Sequence, residues 1–336
     1  MRIKRFFKYF GIAVAILVGS FLVSGQIAYH SVPIIDPPGK MYTVDGTKIH
    51  MYCTGPENNA QPTIIIISGG GTPSYVYDSL RENLSETIRT CSYDIPGFGW
   101  SEPNDAPSNV KNMSDELYRL LQVAQIDGPI ILAGHSMGGL VSLIYSAEHE
   151  EQVAGIAFID SSHYNQVGIY GKEFSDLSDR QTEEFLANFW LMELGSRLGI
   201  MNLMNIIFAS SDSEQHSEDH KVSASLDRWN PPYAGMKSVI SNFKLSLEQA
   251  KEAHYDRDDL PIISISASDI PLGGENPLGF SDQDVIDSYR FIHKDLADLS
   301  SNGRHVIINE TDHISIVYND ETAEHILSLI PSINGK

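Results

Sequence analysis

Short runs of apolar, largely β-branched residues recur along the chain, with room for a helix between most of them. Runs that are apolar at every position are typical of strands buried on both faces of a parallel sheet. The intervening segments carry the apolar spacing of amphipathic helices. Strand alternating with helix predicts an α/β fold with a doubly wound, mostly parallel sheet. The predicted strands are Thr63–Ser68, Thr90–Tyr93, Pro129–Ala133, Val153–Ile159, Pro261–Ser266 and Arg304–Asn309, and the predicted helices are Tyr75–Ser85, Ser114–Gln125, Met137–Glu148, Asp282–Ser300 and Glu321–Ile330.

Two further patterns complete this fold. Asp45-Gly46 is a strong two-residue turn between alternating segments, so a hairpin brings the predicted sheet to eight strands. Residues 161–260 lie between two predicted strands and contain helical patterns. Because long structureless loops are rare in compact domains, we expect a helical cap inserted there, after the sixth strand. The core domain is then expected over 41–160 and 261–336, after a proline-rich linker at 31–40.

The N-terminal segment, residues 1–30, differs from the rest of the chain. Tyr9–Tyr29 carries no formal charge and follows four basic residues among the first eight. At about 1.5 Å per residue it matches a hydrocarbon core of about 30 Å, as in a membrane signal anchor. The strongly apolar part, Phe10–Val23, is also short enough for a signal peptide cleaved near Ser24. Both interpretations stay open, and both place the remainder outside the cytoplasm: a membrane-held extracytoplasmic domain, or a secreted or periplasmic protein.

The charge balance excludes one class of partner. The 336 residues include 23 basic and 44 acidic side chains, for a net charge of −21. A chain this acidic repels phosphate backbones and anionic lipid headgroups. We therefore expect a neutral small-molecule substrate, no nucleic-acid partner, and membrane contact through the N-terminal anchor if it is uncleaved.

The most informative motif is Gly134-His135-Ser136-Met137-Gly138-Gly139, which follows a predicted strand and opens a predicted helix. A serine on such a tight strand-to-helix turn projects its hydroxyl from the sheet edge, and the cramped backbone requires small residues such as Gly134 and Gly138 on either side. Ser136 is the candidate nucleophile. The helix N-terminus places the Met137 N–H where an oxyanion would form.

A serine nucleophile needs a base and an acid that orients it. His313 follows the last predicted strand and is the candidate base. Asp269 follows the preceding strand, and the chain order Ser136, Asp269, His313 is the one expected of this fold class. Asp160 also ends a strand and stays open as the alternative acid, although Asp269 is preferred.

The glycines after the third strand, at positions 69–71, supply backbone N–H groups without obstructing side chains. We expect Gly70 to be the second oxyanion donor. No phosphate-loop or dinucleotide signature is present, so no cofactor is predicted. No metal site is predicted either, since His216 and His220 lie in an acidic run with too few other ligands.

The sequence resembles the α/β-hydrolase superfamily in its GHSMGG and SGGGTP motifs and in Tyr93–Ser101 (YDIPGFGWS). More narrowly, it is similar to a group of exported hydrolases. The resemblance implies Ser136 as nucleophile, Asp269 as acid, His313 as base and Gly70 as an oxyanion amide. Many relatives carry a histidine where this chain has Ser68, so a hydroxyl takes over that bracing role or the role is lost. The family's sheet order also makes Cys53 and Cys91 cross-strand neighbours, which favours a disulfide.

The predicted activity is hydrolysis of carboxylic esters with small to medium acyl chains through an acyl-enzyme. Substrate choice depends on the cap, where the apolar stretch Phe185–Phe208 either packs as helices or lines an acyl pocket. An aminopeptidase, a haloperoxidase or a C–C hydrolase would use the same triad. A non-catalytic ligand-binding protein of this fold is a further alternative.

Overall fold

The computed structural model describes residues 2–57, 61–200, 202–204, 214–253, 256–270 and 281–334. Its centre is an eight-stranded sheet in the order β1-β2-β4-β3-β5-β6-β7-β8. The pairs β1·β2 and β2·β4 are antiparallel, and the other pairs are parallel. The predicted α/β fold is confirmed. The strands are β1 Lys40–Val44, β2 Thr47–Thr54, β3 Thr63–Ile67, β4 Thr90–Tyr93, β5 Ile130–His135, β6 Val153–Ile159, β7 Ile262–Ala267 and β8 Gly303–Ile308.

Most of the strands are separated along the chain by helices. The helices are α1 Arg2–Ser31, α2 Asp78–Ser85, α3 Val110–Val123, α4 Met137–Glu148, α5 Gln166–Arg197, α6 Glu214–Trp229, α7 Tyr233–Glu252, α8 Asp282–Ala297, α9 Asp320–Leu327 and α10 Leu329–Asn334. Helix α3 begins four residues before the predicted start because the Asn109 side chain accepts the Asn112 N–H at 3.0 Å and caps it there. A 3₁₀ turn, Ser74–Tyr77, precedes α2.

The core lies on both faces of the sheet. All five residues of β3 are buried. Ile64 and Ile66 pack with Tyr77 and the α2 side, whereas Ile65 and Ile67 pack with the α3 and α4 side. Successive side chains of a strand point to opposite faces. A strand covered on both sides is therefore apolar at every position, which is why the uninterrupted runs predicted strands.

The hairpin and the cysteines lie at the antiparallel edge. Val44 pairs with Thr47 around Asp45 and Gly46, whose φ angles of 47° and 87° fit the turn that two-residue hairpins favour. Cys53 of β2 faces Cys91 of β4 in register, and a disulfide joins them.

The chain forms two compact units. The helical unit comprises Met1–Asp36 and Glu184–Tyr233, and the sheet unit comprises Pro37–Glu183 and Ala234–Lys336. This division differs from the expected cap over 161–260, because both ends of that insertion belong to the sheet unit. Of the apolar cap stretch, Met201 and residues 205–208 lie outside the described residues.

Helix α1 is long and apolar enough to cross a membrane. Arg5–Ser31 has 27 residues, and its most apolar window of 18 residues has a mean hydropathy of 2.1 and is not buried. The helix ends at Ser31 and β1 begins at Lys40, so the predicted linker at 31–40 lies between two regular elements.

Candidate active site

Ser136 lies in the sharp turn between β5 and α4. Its backbone has φ 52° and ψ −122°, a left-handed conformation that costs energy for a residue with a side chain. The turn is crowded: a Cβ at Gly134 would lie 2.5 Å from the Gly138 carbonyl oxygen, and one at Gly138 would collide with the Ile67 carbonyl. Only glycine fits at these two positions, as the motif predicts.

Hydrogen bonds tie this turn to the end of β6. The strands β5 and β6 are neighbours, and the Ser136 N–H donates to the Ile159 carbonyl at 3.1 Å. The Ser162 N–H donates back to the Ser136 carbonyl at 3.0 Å. Asp160 lies between these two partners and is 5% exposed. The backbone of the serine turn therefore holds Asp160 beside it.

The structure pairs His313 with Asp160 and not with Asp269. Nδ1 of His313 lies 2.5 Å from Oδ2 of Asp160, whereas the carboxylate of Asp269 accepts from the Ser268 hydroxyl at 2.9 Å and is exposed. The preference for Asp269 is thereby corrected. Both aspartates end neighbouring strands at one sheet edge, but only Asp160 turns its carboxylate toward the imidazole.

The Asp160 carboxylate has several further partners. Its Oδ1 accepts from the Ala267 N–H at 3.0 Å and from the Tyr289 hydroxyl, and His293 Nε2 lies 3.6 Å away. Burial alone would raise the pKa of Asp160, but the bond from His313, the His293 ring and these donors outweigh it and lower the pKa. The group is an anion at neutral pH.

In His293, unlike Asp160, the effect of burial prevails and favours the neutral form. It lowers the pKa of His293 to about 4 despite the nearby Asp160 anion, so this ring is neutral at pH 7. His313, by contrast, has 48% of its side chain exposed. Of the two histidines near Asp160, His313 is therefore the one that solvent reaches.

The glycine loop after β3 lies against the serine turn. A Cβ on Gly69 would lie 3.2 Å from the Ser136 Cβ, and one on Gly70 would lie 3.4 Å from the Met137 side chain. Among the described residues, the Gly70 N–H donates no hydrogen bond to a backbone or side-chain acceptor. Met137 is the first residue of α4, so its N–H has no acceptor within the helix. Gly70 therefore lies beside Met137, and the role of both N–H groups as oxyanion donors stays a prediction.

A second set of hydrogen bonds links the glycine loop to the histidine loop. The Gly69 N–H donates to the Tyr77 hydroxyl at 2.9 Å, and that hydroxyl lies 2.8 Å from His135 Nδ1. His135 Nε2 lies 2.9 Å from the His313 carbonyl oxygen. A carbonyl only accepts, so Nε2 carries the ring hydrogen and Nδ1 accepts from Tyr77. Burial, with the nearby His313 ring, lowers the pKa of His135 to about 4, which keeps it neutral.

Tyr77 thus braces the loop in which the resemblance led us to look for a histidine. The buried Ser68 hydroxyl, which stands at that histidine's position, has no hydrogen-bond partner among the described residues. The bracing role is supplied by the phenol from the turn before α2.

Sequence reasoning missed four residues around the site: Tyr77, His135, Tyr289 and His293. His135 carried a usable signal, because it adjoins the candidate nucleophile. Tyr289 and His293 lie one turn apart on α8, and nothing in the helical pattern distinguishes them from packing residues. Within the part of the chain that the structure describes, no three metal-ligating side chains cluster.

The family profile described as alpha/beta hydrolase fold matches residues 62–320, most of the chain. The chain belongs to the α/β-hydrolase family. This α/β hydrolase is 26% identical over 270 residues to an uncharacterized protein of Schizosaccharomyces pombe, covering 69% of the chain and 46% of that protein. The hydrolase therefore spans less than half the length of that relative.

Two further similarities come from bacteria. Over 103 residues the hydrolase is 31% identical to a pimeloyl-[acyl-carrier protein] methyl ester esterase of Neisseria meningitidis, covering 31% of each chain. A thermophilic esterase from Thermogutta terrifontis superposes with a TM-score of 0.59 at 16% identity, covering 88% of the hydrolase and 98% of the esterase chain. At that identity the superposition establishes the shared fold.

Proposed function

We propose that this α/β hydrolase is a serine hydrolase that cleaves carboxylic esters of small to medium acyl chains. The observation that carries the proposal is the His313–Asp160 contact of 2.5 Å next to the strained turn of Ser136. Family membership and the partial similarity to a methyl ester esterase support ester substrates.

In the proposed reaction, Asp160 holds a hydrogen on His313 Nδ1, so the other ring nitrogen is free to accept a proton. His313 takes the Ser136 hydroxyl proton as the oxygen attacks the ester carbonyl. The N–H groups of Gly70 and Met137 stabilise the oxyanion. His313 then protonates the leaving alcohol. In the second half of the reaction His313 takes a proton from water as the water attacks the acyl-enzyme, and it returns that proton to Ser136 as the acid product leaves.

We also propose that α1 anchors the enzyme in a membrane. Its length, its hydropathy and the four basic residues at its start support an anchor whose basic end stays in the cytoplasm. The sheet unit would then work on the extracytoplasmic side.

The test uses the full chain in detergent micelles with p-nitrophenyl esters of graded acyl length. We expect turnover that declines for long acyl chains and is abolished in Ser136→Ala, and fluorophosphonate labelling that maps to Ser136. An aminopeptidase, haloperoxidase or C–C hydrolase would take the label but prefer its own substrate in a panel. Ester hydrolysis that survives in Ser136→Ala, or an unlabelled Ser136, would refute the proposal, and the second result would favour a binding protein.

A further inference from the structure

The helical unit carries an apolar face that its own packing leaves exposed. In α5, Ala187, Trp190, Leu191 and Leu194 recur at the spacing of one helical face. Trp190, Leu191 and Leu194 are 58%, 50% and 43% exposed. Phe189 points the other way and is 4% exposed, packed near Tyr233. We call the four-residue stripe the α5 face.

The C-terminal end of α5 contacts α1 directly. A Cβ on Gly25 would lie 2.6 Å from the Leu198 carbonyl oxygen, and one on Gly199 would collide with the Gly25 backbone. The Gln26 side chain also donates to the Arg197 carbonyl at 2.9 Å. The two backbones meet here because two glycines allow it. Leu198 lies four residues beyond Leu194, so the α5 face runs up to this contact.

The contact lies near the far end of the apolar span. Lys8 is the last charged residue at the start of α1. At about 1.5 Å per residue, Gly25 lies about 24 Å beyond Tyr9, and Tyr29 about 30 Å beyond it, which is the thickness of a hydrocarbon core. At this level the Tyr29 hydroxyl donates to the Arg228 carbonyl at 3.1 Å. The neighbouring Trp229 is 60% exposed.

We propose that the α5 face and Trp229 lie in the interfacial layer of the same bilayer that α1 spans. The proposal rests on the membrane anchorage proposed above. Because the α5 face adjoins the membrane-spanning helix α1, we infer that lipid covers it. Tryptophan side chains are enriched in the interfacial layer of a bilayer. Exposed Glu183 and Glu184 at the start of the stripe favour zwitterionic over anionic headgroups.

The first experiment measures tryptophan quenching in the full chain, reconstituted in phosphatidylcholine vesicles with brominated acyl chains. The protein has three tryptophans. Trp100, in the sheet unit, is 5% exposed and serves as the internal reference. We expect brominated lipid to quench the emission of Trp190 and Trp229, identified by their loss in Trp190→Phe and Trp229→Phe. Quenching of neither residue, with both reached by aqueous acrylamide, would overturn the proposal.

The second experiment compares Leu191→Glu/Leu194→Glu with Leu245→Glu, a control on α7 of the sheet unit that is 42% exposed. The double variant should lose quenching of Trp190 and shift its emission to the red, while hydrolysis of p-nitrophenyl butyrate is unchanged in both proteins. Quenching that persists in the double variant would contradict the proposal.

The α1 anchor and the docking of the α5 face into the interfacial layer can be refuted separately. Release of the chain from vesicles by alkaline carbonate would refute the α1 anchor itself. A chain that resists extraction but shows acrylamide-accessible tryptophans would refute only the docking. Self-association that protects the tryptophans from both quenchers would show that a second copy covers the α5 face, and it would also overturn the proposal.

Discussion

Replacing Asp160 by asparagine should remove the orientation of the proposed base while keeping the fold. Asn is nearly the same size as Asp and tolerates the left-handed φ of 40° that Asp160 adopts. The structure decides how the amide would sit: Oδ1 of Asp160 accepts two donors, from Ala267 and Tyr289, so the amide oxygen takes that place. The NH₂ group then faces His313 Nδ1.

An NH₂ group at that point forces the wrong imidazole tautomer. His313 Nδ1 must become an acceptor, its hydrogen moves to Nε2, and the ring no longer accepts the serine proton. The expected loss is about 10⁴-fold in kcat. That corresponds to about 5.5 kcal/mol of transition-state stabilisation at about 1.36 kcal/mol per tenfold.

The assay is kcat for p-nitrophenyl butyrate, with Asp269→Asn as the matched control and thermal unfolding to check both variants. Asp269 is exposed and bonded to Ser268, so its variant should stay within about twofold of the parent. A folded Asp160→Asn that keeps a tenth of the parent kcat would refute the reasoning, as would a large loss confined to Asp269→Asn.

Three further predictions concern the residues around the site and the sheet edge. Tyr77→Phe leaves the Gly69 N–H and His135 Nδ1 without their partner; it should cost about 1–3 kcal/mol of unfolding free energy and lower kcat with KM unchanged, measured by denaturation and steady-state kinetics. Burial lowers the pKa of His135 and of His293 to about 4, so the folded state resists a proton that the unfolded chain binds below about pH 6.5. The free energy of unfolding should therefore be highest above that pH and should fall by ~3 kcal/mol per histidine down to pH 4. Urea unfolding across this pH range measures the effect. Reduction of the Cys53–Cys91 disulfide, which closes a separation of 38 residues, should cost about 4 kcal/mol and lower the melting temperature.

Each of these predictions has a contrary outcome. A Tyr77→Phe enzyme with raised KM and unchanged kcat would place the phenol in substrate binding. A pH dependence of stability that is the same in His293→Gln as in the parent would remove that ring from the explanation. A double Cys53→Ser/Cys91→Ser variant as stable as the oxidised protein would show that the strand pair needs no covalent link.

The sheet could be predicted from the sequence because a strand buried on both faces is apolar at every position. Strand β3 is buried throughout, and the serine turn requires glycines at Gly134 and Gly138 that are evident in the sequence. No sequence pattern distinguishes Asp160 from Asp269 as the partner of His313. Both follow apolar strands. The difference lies in the side-chain direction, which the positive φ of Asp160 and two backbone hydrogen bonds set: the Ser136 N–H donates to Ile159, and the Ser162 N–H donates to Ser136.

Contacts between distant helices were likewise beyond pattern reasoning. Tyr77 and Tyr289 act through single hydroxyl groups whose partners lie 58 and 129 residues away. Periodicity reports which side of a helix is buried and not which atom it meets. Residues 184–233 group with the N-terminal segment, and the close backbone contact between Gly25 and Gly199 is one link that no apolar run reveals.

Ser136 and Asp160 leave adjacent strands joined by one short crossover, whereas His313 follows 153 residues after Asp160. During synthesis, the proposed nucleophile and acid can therefore reach their positions well before His313 is made. A nascent chain would carry an inert serine throughout that interval. Under the proposed mechanism, reactivity would arise only after β8 has joined the edge of the sheet and placed His313.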